Sequence, residues 1–135
     1  MASLQHFTPE EVAPPRATYS HAIRSGDVLW LAGQVPIDTE GKTVGVGDVE
    51  AQTEQVLRNV GAILEACGAS FSDVVRFTSY VVGREHLEGF RAARSRLWAD
   101  LYPDGTYPTS TLLVVSGLAS VEFLVEIETT AAVDG

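Results

Sequence analysis

The chain has 135 residues, with 18 Asp or Glu against 9 Lys or Arg, a formal charge of −9 and a pI near 4.6. That length makes one domain, and a 45% apolar content supplies a core without disulfide or metal staples. Nucleic acid and anionic membrane are disfavoured as partners, because both draw affinity from Lys and Arg set against phosphates. Cys67 is the single cysteine, and the sequence contains no CxxC or HExxH, so neither an internal disulfide nor a bound metal is expected. No basic and apolar leader opens the chain and no run approaches 18 apolar residues, so a soluble, cytoplasmic protein is expected.

Residues 1–16 carry three of the six prolines and little periodicity, and are expected to form an arm on the surface ahead of a single domain over 17–135. Tyr19 to Arg24 and Val28 to Val35 read as strands around the turn Ser25-Gly26-Asp27. After a glycine-rich stretch, Asp48 stands as an N-cap, and Glu50 and Glu54 favour the dipole of the helix that follows. Val49, Val56, Val60, Ile63 and Leu64 give that helix one apolar face, and Gly68 ends it. Asp73 to Val82 is a β-branched and aromatic strand with Val75, Phe77, Ser79 and Val81 on one side and Val74, Arg76, Thr78 and Tyr80 on the other. A second helix spans Arg84 to Leu101, and strands at Ser110 to Leu118 and Glu122 to Ala132 close the chain.

The order ββαβαββ describes an α+β layer, one mixed sheet with two helices on one face. Apolar residues on the opposite face then need a partner, and a second copy of the chain is the natural one. Clefts between copies are where small molecules bind.

Three strings, YSHAIRSGDVLWLAGQVPID, DVEAQTEQVLRNVGAILEACGASFSDVVRFTSYV and EFLVEIETTA, together resemble the RidA (YjgF) family over about Tyr19 to Val133. The resemblance implies a chorismate-mutase-like fold, a homotrimer with three clefts between subunits, and cofactor-independent hydrolysis of enamines and imines such as 2-aminoacrylate. It also implies site residues. Tyr19 matches a tyrosine that closes the cleft, Gly33 a glycine whose backbone amide helps to bind the ligand, and Glu128 a glutamate that positions the attacking water.

Two positions depart from the family pattern. Ala32 replaces the serine of Ser-Gly-Gln, and Ser110, followed by Thr111, stands where Pro-x-Arg-Ser has its carboxylate-clamping arginine. A charge-assisted hydrogen bond contributes about 1.5–3 kcal/mol, and a guanidinium offers two in a fixed fork. Affinity for a carboxylate therefore falls at least about tenfold unless another cation enters, and Arg91 on the second helix is the expected replacement.

Independently of the family, Glu126 and Glu128 lie two apart on one strand and share a face. In a cleft, a partly desolvated carboxylate accepts a proton near neutrality, which is what adding water to an imine requires. His6, His21 and His86 are scattered without a nucleophile motif, and Gly45 and Gly47 lack the remainder of a dinucleotide fingerprint. Two functions follow: a hydrolase of a reactive imine or enamine other than the usual small 2-imino acid, with Ser110 and Thr111 bonding a polar group, or a non-catalytic trimer binding a metabolite or partner in the same clefts.

Overall fold

In the computed structural model, which describes residues 3–134, period-two alternation in the last strand sets the middle of the fold. The elements are β1 (Leu4–Phe7), β2 (Ala22–Ser25), β3 (Val28–Gln34), α1 (Val49–Ala66), β4 (Val74–Val82), α2 (Leu87–Leu101), β5 (Thr109–Val115) and β6 (Val125–Ala132). The sheet order is β1-β2-β3-β6-β4-β5. Only β4 and β5 run parallel, and β6 is antiparallel to both β3 and β4. In β6 Val125, Ile127, Thr129 and Ala131 are buried while Glu126, Glu128 and Thr130 turn to the other face.

The expected α+β architecture is present, with both helices on one face of a mixed sheet. Asp48 accepts from the Ala51 amide at 3.1 Å to cap α1, and Gly68 adopts the left-handed φ of 76° that ends it. Val56, Val60, Ile63 and Leu64 of α1 and Phe90 of α2 pack with Leu29, Phe77, Val81, Val125 and Ile127 of the sheet, all nearly inaccessible to solvent.

Three local features differ from the sequence reading. Within the expected arm, Leu4–Phe7 pairs with β2 as the outer strand β1, and Val12 and Ala13 are buried. Tertiary pairing supplies what four residues of weak periodicity cannot signal. The second strand begins at Ala22, leaving Tyr19 in the loop before it. In β4 a register shift between Val74 and Arg76 puts Val74 inside and Val75 outside, reversing their expected sides, because a bulge's extra residue flips the alternation.

A second stripe of α1 is polar yet buried. Gln52, inaccessible to solvent, donates from Nε2 to the Gly45 and Glu122 carbonyls at 3.1 and 2.8 Å and accepts from the Leu124 amide at 2.8 Å. Asn59 donates to the carbonyls of Val35 and Ile37 at 3.1 and 2.9 Å. These amides satisfy loop backbone that the core would otherwise strand, and Gln52 fixes the entry into β6.

Candidate active site

The uncovered face of the sheet gathers charged and hydroxyl side chains. Thr111, Thr78 and Glu128 stand in one cross-strand row over β5, β4 and β6, and Thr109, Arg76 and Thr130 form the next. With neighbouring strands about 4.8 Å apart, both rows fit beneath one small molecule. Thr111, Arg76, Tyr80, Glu128, Thr130 and Trp30 line a cavity of about 470 Å³. It offers a guanidinium, a carboxylate and several hydroxyls, with the half-exposed Trp30 indole as an apolar wall.

Glu126 lies beside Glu128 on this face but deeper. Burial, and then the charge of Glu128, push its carboxyl above the usual carboxylate range. Gly33 of β3 makes room for it, since a methyl there would collide with Glu126 Oε2. The absence of a side chain at Gly33 thus positions a carboxylate, a role distinct from the ligand-binding amide that the resemblance implies.

Other candidates lie apart. Ser110 is paired with Phe77, on the helix side of the sheet, and lines a separate cavity of about 400 Å³ with Arg94, Ser95, Trp98, Tyr107 and Pro108. Thr111 and Ser110, adjacent in sequence, therefore open into different cavities. Tyr19 is 47% exposed, edge-on to His21 with ring centroids 6.1 Å apart. His21 itself is buried between the Ala13 carbonyl, 2.7 Å from Nε2, and Gln34, 3.3 Å from Nδ1. Arg91 is exposed on α2 and lines none of these cavities, whereas Arg94, about one turn on, lines that of Ser110.

One chain thus unites Glu128 with Thr111, sets Gly33 against Glu126, and holds Ser110 and Tyr19 elsewhere. Arg76 and Arg94 are absent from the expected site. Alternation along β4 does place Arg76 with Thr78 and Tyr80, but only the pairing of β4 with β6 brings it to Glu128. Among the described residues no three His, Cys, Asp or Glu side chains group to hold a metal, and no helix is long and apolar enough to cross a membrane.

A mixed sheet backed by two helices, with paired glutamates on its open face, defines a small α+β domain of the RidA-like fold. The chain belongs to the RidA (YjgF) family. The family model described as Endoribonuclease L-PSP matches residues 10–133. A RutC family protein of Pyrococcus horikoshii is 37% identical over 122 residues, 90% of this chain and 92% of that one. The 3-aminoacrylate deaminase RutC of Acinetobacter baylyi is 30% identical over 125 residues, 93% and 94% of the two chains. The crystal structure of the YjgF gene product of E. coli superposes with a TM-score of 0.85 at 26% identity, covering 95% of this chain and 98% of that one.

Proposed function

We propose that this chain is a RidA-type deaminase that hydrolyses a reactive enamine or imine to the carbonyl compound and ammonia, without cofactor, in the cytoplasm. The observation that carries the reading is Glu128 in a cavity with Arg76 and Thr111, beside the partly buried Glu126. Water adds to the carbon of the C=N bond as a carboxylate takes its proton. The carbinolamine nitrogen receives a proton, the hydroxyl gives up its own to a carboxylate as its oxygen forms the C=O bond, and the C–N bond breaks with its electron pair on nitrogen, releasing ammonia. Glu128 orients the water in this reading, and the family's deaminase from Acinetobacter supports the chemistry. The charge of −9 favours a small molecule over RNA despite the description of the family model.

The chain works as a homotrimer in this proposal. Ser110 and Glu128 open on opposite sides of the sheet, so they serve one ligand only where the β5 edge of one copy meets the open face of the next. Tyr19, exposed ahead of β2, is free to close that cleft, and the Gly33 amide is the backbone donor in this proposal. Arg91 on α2 extends the cationic edge beside Arg94.

The test is release of ammonia and carbonyl product from imines generated in situ, carboxylated and neutral, by the parent and by Glu128→Ala. Accelerated release lost in Glu128→Ala is expected. Rates equal to buffer across the series would favour the second reading, a non-catalytic binding trimer, which the serine at position 110 supports.

A further inference from the structure

Arg94 stacks on an aromatic ring of its own helix. Its side chain is half-buried on α2, and its guanidinium carbon stands 5.2 Å from the centre of the Phe90 ring. Among the described residues no hydrogen bond or ion pair engages this guanidinium, as is also true of Arg58, Arg76, Arg84 and Arg91, but of these five only Arg94 stands over an aromatic ring. Arg96, two residues on, is instead bonded to Glu50 and Glu54 at 2.7 and 2.8 Å across the helix pair. Burial, and then the charge of Arg91, make the Arg94 cation less favourable than a solvated one. A partly desolvated guanidinium with its donors unused is matched by an anion with two oxygens in one plane.

The cavity around it states what else that anion carries. Of its lining residues, Trp98, Tyr107 and Pro108 present rings, and Ser95 and Ser110 present hydroxyls. We propose that Arg94 is the specificity-determining cation of the Ser110 cavity, clamping from helix α2 the carboxylate of a substrate whose apolar or aromatic body rests on Tyr107 and Pro108. The clamp reaches the ligand from the helix instead of the strand, so a larger body occupies the volume that a strand arginine at position 110 would fill. As a substrate subsite this rests on the deaminase reading, and it narrows the substrate to imines and enamines of bulky carboxylic acids.

Binding tests it without turnover. The probes are 3-phenylpropanoate, its neutral isostere 3-phenylpropanamide, and acetate, titrated by calorimetry into the full chain. The parent is expected to prefer the aromatic acid to the amide and to acetate, with affinity falling as salt rises. Arg94→Gln removes the charge and the guanidinium over Phe90 but keeps an unbranched polar side chain. It is expected to weaken the acid at least about tenfold, leave the amide within about twofold, and melt near the parent temperature. Arg94→Lys should fall between, because one ammonium replaces a fork. Arg84→Ala, ahead of α2 and outside this cavity, should bind like the parent. Adding Ser110→Arg to Arg94→Gln should restore the acid, since both guanidiniums address one spot.

Equal acid affinity in the parent and Arg94→Gln would overturn the proposal, as would an effect confined to Arg76→Ala, which would put the anion in the Glu128 cavity. Should Arg94→Gln fail to fold, the acid-to-amide ratio of Arg94→Lys decides: a ratio unchanged from the parent also overturns it. Acid binding that depends on Arg94 without imine hydrolysis would leave this subsite standing and remove the deaminase reading alone.

Discussion

Gly33 and Glu126 illustrate how one missing side chain sets the chemistry of another. The carboxylate occupies the space a Cβ would take, on the flexible end of a side chain that can swing away. Gly33→Ala is therefore expected to fold, to release Glu126 toward solvent, and to return its titration toward the ordinary carboxylate range, read by carboxyl-carbon NMR. The raised position of Glu126 also has a sign for stability. The folded state holds this proton more tightly than the unfolded chain, so stability falls as pH rises through the unfolded carboxylate range toward the folded value. Glu126→Gln should accordingly raise the melting temperature at pH 7 and lose that advantage near pH 3, where both states are protonated. Cys67 behaves oppositely to a reactive thiol: burial pushes it up to about 11. Alkylation at pH 7.5 should be slower than for a free thiol by about two orders of magnitude, because the thiolate is the nucleophile.

At the scale of elements, polar contacts aim the strands. Gln52 of α1 holds three backbone groups around the start of β6, so Gln52→Leu leaves buried donors and acceptors without partners. A loss of about 2–5 kcal/mol is expected by chemical denaturation, together with greater amide exchange in β6, whose glutamates lose their fixed entry. The Tyr102 hydroxyl donates to the Phe71 carbonyl at 2.8 Å and ties the end of α2 to the turn before β4; burial raises its ionisation to about 12. Tyr102→Phe should cost about 0.5–1.5 kcal/mol. The boundaries of α1 were legible in the sequence because Asp48 and Gly68 are local signals with local causes. The buried amides Gln52 and Asn59 were not, since their partners lie in loops whose positions only the tertiary fold defines. The same holds for Val74 and Val75: composition marked the strand, but the bulge depends on its pairing with β6.

For the molecule as a whole, alternation in the last strand identified Glu126 and Glu128 as neighbours on one face, and the structure has them so. Arg76 escaped notice because its nearness to Glu128 comes from strand order, which no local pattern records, and Arg94 because helix spacing alone does not tell which arginine faces the strand beside it. In the proposed assembly, β1 shields one margin of the sheet while β5 leaves the other free for a neighbouring copy. Sedimentation is expected to give three times the 14.5 kDa protomer mass, and a monomer that persists at high concentration would separate Ser110 from Glu128 for good. The central place of β6 has a further consequence during synthesis. Every other strand of the sheet leaves the ribosome before it, so β3 and β4 wait with their facing margins open until the glutamate-bearing strand arrives. A chain interrupted before Val125 lacks at once the sheet's middle and both carboxylates, so unfinished copies keep open strand margins and stay exposed to proteolysis.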